Sequence, residues 1–263
     1  MNIEHILDII CRNKRLEIAD QKEAVPISNL KDSLSLQPRK KVSFKQALAV
    51  SKSGIIAEFK RKSPSKGWIR QDADASNIAR SYEEAGAAAI SCLTDGPFFG
   101  GGFTDFEKAR EAVEGVPLLR KDFILDEYQL YQSRLMGADA VLLIAACLTA
   151  DEIARFTAIA HELDMEALLE IHEESELASI CPDTDVIGIN NRNLKTFDTD
   201  IRHTMDLAGR IPEQFLKISE SGLSQPETVI QLRQAGFRGF LVGENFMKTD
   251  DPGKSLREFI QKL

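Results

Sequence analysis

The chain has 263 residues, of which 43% are hydrophobic and 28% charged, the proportions of a soluble globular protein long enough to bury a sizeable core. Its formal net charge of −8 excludes nucleic acid and anionic membrane as natural partners, because the summed field repels phosphate. A local basic cluster in such a molecule points instead to a small anion.

Four cysteines (Cys11, Cys92, Cys147, Cys181) lie far apart and form no CxxC pair, with Cys92 and Cys147 inside apolar runs. They read as buried free thiols of a reducing compartment. The apolar run from Ala140 to Leu148 is too short to span a bilayer, and the N-terminus MNIEHILDII carries acids where a signal peptide is basic. A cytoplasmic location is expected.

Residues 3 to about 23 place Ile3, Ile6, Leu7 and Ile10 at helical spacing, which predicts an amphipathic helix. A polar stretch with Pro26 and Pro38 comes next, and Ser43 is placed to cap a short helix over KQALAVSK. Residues 1–52 thus read as a helical extension, too small for a core of its own and packed on the main domain. From residue 53 the chain alternates. Short apolar runs at 54–60, 87–93, 116–121, 139–145, 165–171, 185–190, 215–219 and 238–242 are separated by helical patterns at 74–85, 103–114, 126–136, 149–163, 173–179, 200–208, 224–235 and 252–262. Asp126 and Thr149 stand as N-caps, and Gly86, Gly137 and Gly236 as C-caps. Strict alternation predicts a parallel sheet, and eight units in this length predict a closed (β/α)8 TIM barrel over 53–263, one domain with its N-terminal extension.

Barrel sites form at the C-terminal ends of strands, so the residues ending each run carry the functional reading. The stretch SGIIAEFKRKSPSKG (53–67) ends an apolar run with Glu58 and Lys60, two apart and so on one face. A basic loop comes after it, with Arg61, Lys62, Lys66 and Arg70, as if to receive an anion. The later runs end in Arg120-Lys121, Glu170, Asn190-Asn191-Arg192, Glu220-Ser221-Gly222 and Gly243-Glu244-Asn245. Any one of these alone is a solvated residue at a strand–loop junction. Gathered on one rim, lysines and glutamates shift one another's proton affinity, which supplies an acid and a base at neutral pH. Ser221-Gly222 and Gly243 put small residues after the seventh and eighth runs, where barrels bind phosphate on backbone N–H groups.

Other signals are weaker. Gly253-Lys254-Ser255 mimics the end of a P-loop, but Lys248 stands where a glycine is required. His5, His161, His172 and His203 lack metal-site spacing and read as solvated. GPFFGGGFTDF (96–106) reads as a flexible loop over the mouth, a candidate lid, and Trp68 as a stacking partner for an aromatic ligand or as a loop anchor.

Six segments, IAEFKRKSPSKG (56–67), LLRKDFI (118–124), LLEIH (168–172), IGINNRNL (187–194), ISESGL (218–223) and LVGENFM (241–247), together resemble the indole-3-glycerol phosphate synthase family of tryptophan biosynthesis, and the likeness extends over nearly the whole chain. The resemblance implies an enzyme with no metal or organic cofactor that converts 1-(2-carboxyphenylamino)-1-deoxyribulose 5-phosphate into indole-3-glycerol phosphate, CO2 and water. It assigns Lys121 as principal general acid, Glu170 as the carboxylate of the later proton transfer and dehydration, and Lys60 as the lysine that holds the anthranilate carboxylate. Glu58, Asn190 and Glu220 match residues that position substrate and lysines. Ser63, Phe123, Arg192, Ser221, Gly222 and Gly243 fall on the ligand or its phosphate. Glu244 departs from the serine of some members, so only its backbone N–H is expected there. The implied partner is a phosphorylated small molecule, without nucleic acid or membrane, in a monomer or weak homo-oligomer. The alternatives are another phosphate-binding barrel enzyme, such as phosphoribosylanthranilate isomerase, and a catalytically silent ligand-binding barrel. Removing Lys121 as a rim residue is expected to spare the fold.

Overall fold

The computed structural model describes residues 6–34, 42–192 and 199–263. Ile3, His5, Pro38 and the end of the IGINNRNL segment lie outside the described residues.

Eight parallel strands close into a barrel: β1 (Ile55–Phe59), β2 (Ala89–Leu93), β3 (Leu118–Lys121), β4 (Ala140–Ile144), β5 (Glu166–Ile171), β6 (Val186–Asn190), β7 (Leu216–Glu220) and β8 (Gly239–Val242). β8 pairs with β1, Ile55 opposite Phe240, so no barrel edge is left unpaired. Successive side chains alternate between two cores. Ile56, Leu119, Leu168 and Ile218 belong to the inner one, whereas Ile55, Leu118, Leu169 and Ile187 join the layer between strands and helices. Burial on both faces is why these strands read as unbroken apolar runs.

Helices Ala75–Ala85, Phe103–Ala112, Glu127–Leu135, Ala150–Glu162, Ile201–Ala208, Pro226–Gln234 and Pro252–Ile260 form the outer layer. Asp126 and Thr149 each accept from the start of their helix, while Gln129 and Glu152 return the bond. Gly86, Gly137 and Gly236 take φ of 92°, 88° and 93° just beyond theirs, the left-handed backbone that glycine tolerates. Between β5 and β6 the helix expected over 173–179 is a 3₁₀ segment, Glu174–Ser179.

The closed end of the barrel is sealed by the helix Phe44–Val50, which Ser43 caps as expected. Phe44 and Leu48 are fully buried in the inner core. Glu166, at the start of β5, accepts from Ser43 Oγ and from the backbone N–H of Lys45, both at 2.6 Å, and fixes the plug.

The N-terminal helix, Ile6–Ala24, is followed by a second helix, Ile27–Leu34, where a polar stretch was expected. Tyr128 Oη donates to the carbonyls of Gln21 (3.1 Å) and Val25 (2.8 Å), holding this pair on the barrel. Lys14 is 1% exposed, its ammonium 3.2 Å from Asp95 and 3.1 Å from Asp122. Those carboxylates lie just past the C-terminal ends of β2 and β3, so the extension lies at the open mouth. Burial opposes the charge on Lys14, but Asp122, Asp95 and Glu17 outweigh it and hold the ammonium protonated above the ordinary lysine range.

The loop after β1 contains an antiparallel pair, Lys62–Ser63 with Gly67–Trp68. The glycine-rich segment after β2 begins with a helical turn, Gly96–Phe99, capped by Asp95 and ended by Gly100 at φ 66°. This structured turn corrects the expectation of a loop throughout. Cys92 is buried as expected; Cys147 is only half-buried, and Cys11 is buried. Among the described residues, no helix is long and apolar enough to cross a membrane.

Candidate active site

The alternation that fills the barrel also builds the site. Two positions beyond inward-facing Ile56, Leu119, Leu168, Gly188, Ile218 and Leu241 stand Glu58, Lys121, Glu170, Asn190, Glu220 and Gly243. Lys60 and His172 continue the same faces one step further. These residues line one cavity of about 440 Å³ at the C-terminal ends of the strands. His172 is the exception, standing behind Glu170 rather than in the lining.

Lys121 is at its centre. Its ammonium donates to Glu170 Oε2 at 2.9 Å and to Glu220 Oε2 at 2.8 Å. The lysine side chain is 13% exposed and the carboxylates 4% and 1%. Burial works against the Lys121 charge, but Glu170, Glu220 and Glu58 outweigh it and hold the ammonium above the ordinary lysine range. The two carboxylates divide. Burial pushes Glu170 up, yet Lys121 and His172 prevail and hold it down at about 2. Burial and repulsion from Glu170 prevail over Lys121 at Glu220, which is pushed up to about 7. One cation between two buried carboxylates therefore leaves one ionised and one that changes charge near neutrality.

Across the mouth, Lys60 Nζ lies 2.6 Å from Glu58 Oε1. Glycines make room for both buried carboxylates: a Cβ on Gly243 falls 2.4 Å from Glu58 Oε1, and one on Gly188 falls 2.3 Å from Glu220 Oε1. Asn190 donates from Nδ2 to Glu170 Oε1 at 3.3 Å, and its Oδ1 accepts from the Arg192 N–H at 3.0 Å. Arg192 Nη1 reaches Ser65 Oγ at 2.7 Å, joining the β6 end to the β1 loop.

The remaining expected residues meet in the same cavity: Ser63 from the β1 loop, Phe123 after β3, and Ser221, Gly222 and Glu244 after β7 and β8. Ser221 holds φ 69°, a strained value for a residue with a side chain, and Gly222 is next at 72°. Asn191 Nδ2 bonds the Ser221 carbonyl at 2.6 Å and fixes this turn. Asn191 itself faces outward to Ser219 and Thr204, so it serves the turn and not the cavity.

Sequence reasoning placed some residues wrongly. Arg120 points away from the mouth into a buried set with Asp122 (2.9 Å), Thr94 and Ser133. Of the basic loop, only Lys66 lines the cavity. Arg61 is spent on Asp105 and the Ala73 carbonyl, Lys62 on the Pro97 carbonyl, and Arg70 on the Asp250 carbonyl. Trp68, 51% exposed, lies outside the lining, beside the Lys62 ammonium and against Gly100; of its two readings, loop anchor is the one the contacts match. Phe99 instead lines the cavity, its ring centroid 6.0 Å from that of Phe123.

Two contributors were missed. His172, expected to be solvated, is 9% exposed in its side chain, with Nε2 3.3 Å from Glu170 Oε1. Its position two residues beyond Glu170 was the available signal. Burial lowers its proton affinity, but Glu176 and Glu170 prevail and raise it. Ile6, Leu7 and Ile10 of the N-terminal helix also line the cavity, with Leu142 and Ile144 of β4. Their apolar periodicity was visible; what it faced was not.

Ions buried in such numbers stabilise a barrel less well than hydrocarbon of the same volume, so their presence marks a working site. Fold and mouth together define a (β/α)8-barrel enzyme. Solved structures agree on the fold. A chain of the tryptophan synthase a2b2 complex from Pyrococcus furiosus superposes with TM-score 0.58 at 16% identity, covering 80% of this chain and 97% of that one. 3-Hexulose-6-phosphate synthase from Salmonella typhimurium gives 0.62 at 14% identity, covering 80% and 98%. The sequence relatives are nearer. A family model described as indole-3-glycerol phosphate synthase matches residues 7–259. The indole-3-glycerol phosphate synthase of Bacteroides thetaiotaomicron is 53% identical over 261 residues, 99% of this chain and 100% of its own. That of Polaromonas naphthalenivorans is 44% identical over 257 residues, 96% and 97%. The chain belongs to the indole-3-glycerol phosphate synthase family.

Proposed function

We propose that this mouth performs the carboxy-lyase reaction of tryptophan biosynthesis, turning 1-(2-carboxyphenylamino)-1-deoxyribulose 5-phosphate into indole-3-glycerol phosphate, CO2 and water. The observation that carries the assignment of roles is the Lys121 ammonium held between Glu170 and Glu220, opposite the Lys60–Glu58 pair.

Ring closure joins the aromatic carbon bearing the carboxylate to the ketone carbon of the sugar chain. The ketone oxygen gains charge as the bond forms, and an ammonium held protonated at that oxygen stabilises it and delivers a proton. Lys121 takes this part. Glu220, which changes charge near neutrality, is placed to return a proton to it. Lys60 neutralises the substrate carboxylate until CO2 departs and aromaticity returns. Loss of water then needs a donor at the hydroxyl and a base for the neighbouring carbon. Glu170, whose charge Lys121 and His172 favour, is that base, with Asn190 donating to its second oxygen and His172 Nε2 lying 3.3 Å from the same atom.

The apolar wall of Phe99, Phe123, Leu142 and Ile144 suits the anthranilate ring, and excluding water there strengthens each charge interaction. Ser221, Gly222, Gly243 and the backbone of Glu244 suit the phosphate, with Ser63 and Arg192 closing the side toward the β1 loop. The Glu244 carboxylate is not a phosphate ligand, since like charges repel. Indole fluorescence tests the reading: the purified chain given the carboxyphenylamino deoxyribulose phosphate is expected to generate the indole signal without added metal or cofactor. Binding of that compound without turnover would reject the enzyme reading, and turnover only of phosphoribosylanthranilate would reassign it to the isomerase.

A further inference from the structure

Two thiols that are 136 positions apart in sequence meet in space, with Cys11 Sγ and Cys147 Sγ 3.4 Å apart and sharing a hydrogen bond. Cys11 sits on the helix Ile6–Ala24, and Cys147 closes the 3₁₀ turn Ala145–Cys147 after β4. Both are free cysteines. The chemistry at the mouth uses neither, yet the helix that carries Cys11 lines the cavity through Ile10, and the strand that leads into the turn carrying Cys147 lines it through Ile144.

The pair is asymmetric. The hydrogen bond with Cys147 and the nearby Arg15 guanidinium favour a thiolate at Cys11; burial and Asp8 oppose them without prevailing, so its proton affinity lies below the ordinary thiol range. The bond to Cys11, burial and the charges of Cys11 and Glu170 raise Cys147, which keeps its proton. Cys11 is buried and Cys147 half-buried beside exposed Ala146, so the Cys147 side of the pair is the one nearer solvent.

We propose that Cys11 and Cys147 form an oxidisable dithiol site, which a small hydroperoxide converts into a disulfide that ties the N-terminal helix to the barrel at its mouth. The Cys11 thiolate attacks a peroxide oxygen, the O–O bond breaks, and a sulfenic acid forms as hydroxide or an alkoxide leaves, which takes a proton from solvent to become water or an alcohol. Cys147 sulfur then attacks the sulfenic sulfur, its proton leaves with the hydroxyl as water, and the S–S bond forms. Two thiols lose one electron each, and the peroxide gains two. Bringing the sulfurs from 3.4 Å to a bonded length of about 2.05 Å needs a shift of about 1.4 Å, within reach of side-chain rotation. Cys92, buried in β2, and Cys181, whose Sγ lies 3.3 Å from Thr184 Oγ1, serve as internal controls.

The full chain is treated with hydrogen peroxide, blocked with iodoacetamide, mapped by non-reducing peptide mass spectrometry, and melted with and without dithiothreitol. The expected result is a Cys11–Cys147 peptide that dithiothreitol reverses, with a melting temperature raised by roughly 5 °C or more in the oxidised form. Cys11→Ser and Cys147→Ser are expected to melt near the reduced parent and to lose both effects. Four thiols left free, Cys11 carried to a sulfinic acid, or a cross-link without a change in melting would each overturn the proposal. None of these outcomes depends on which substrate the mouth binds, so the assignment of function stands or falls separately.

Discussion

Lys121→Met is the perturbation whose consequences the geometry specifies most fully. Methionine keeps the volume, so little cavity forms and the loss is electrostatic. Holding the Glu170 carboxyl down from its ordinary 4.5 to about 2 is worth about 3 kcal/mol. Because this carboxyl is depressed in the folded chain, the stabilisation is present above 4.5 and is lost as pH falls through 2, so the parent has all of it at neutral pH. Removing the cation takes most of it away. Breaking a buried pair costs about 3–5 kcal/mol in general, and protonation of Glu220 offsets part of that. The melting temperature is therefore expected to fall by roughly 5–15 °C, against the expectation from sequence that a rim lysine contributes little. Turnover, monitored by indole fluorescence, is expected to fall about 10²- to 10⁴-fold as the proposed general acid disappears. A variant that turns over within about tenfold of the parent would refute the catalytic part. One that melts within about 2 °C of it would refute the electrostatic part.

Glu220, pushed up to about 7, keeps a proton in the folded chain that the unfolded chain releases above about 4.5, so its contribution is full below 4.5 and lost as pH rises through 7. Calorimetry between about pH 6 and 8 is expected to show melting temperature falling with pH, and Glu220→Gln to flatten most of that fall; an unchanged slope in the variant would reject the assignment. His172, also raised, acts in the same direction and leaves a residual slope. Gly243→Ala adds a Cβ that meets Glu58 Oε1 at 2.4 Å and Glu58 Cβ and Cδ at 3.0 Å. Displacing Glu58 from Lys60 is expected to lower kcat/KM by roughly 10²-fold and the melting temperature by roughly 2–10 °C, and parent-like kinetics would show the pair to be idle. Lys14→Met leaves buried Asp95 without the Lys14 ammonium, while Asp122 keeps Arg120, a loss of about 3–5 kcal/mol. Limited proteolysis is expected to cut within the N-terminal helices before the barrel, and an unaltered cleavage pattern would contradict that anchoring.

The barrel was legible because each strand is buried on both faces and each connection carries a helical period, so the alternation survives in the sequence. The mouth was legible for a related reason. A charge two positions beyond an inward apolar residue, as Lys121 stands after Leu119 and Glu170 after Leu168, shares its direction. What failed depends on contacts between distant segments. Arg61 reads as free for an anion until Asp105, 44 residues on, is seen to hold it. Arg120 reads as part of the rim, yet being adjacent to Lys121 it points the opposite way, into Asp122 and Thr94. The N-terminal helix shows an apolar stripe, but only docking of Lys14 on the β2 and β3 ends reveals that Ile6, Leu7 and Ile10 wall the site. His172 falls between these cases: the two-residue step that exposed Lys60 after Glu58 applied equally to it after Glu170.

The central claim is that side chains from separate strands act on one molecule. A crystal structure with indole-3-glycerol phosphate bound addresses it most directly. Phosphate against the backbone of Ser221, Gly222 and Gly243, with the indole ring between Lys121 and the Phe123 wall, is the predicted arrangement. Phosphate seated outside the mouth, or an indole ring out of reach of both Lys121 and Glu170, would contradict it.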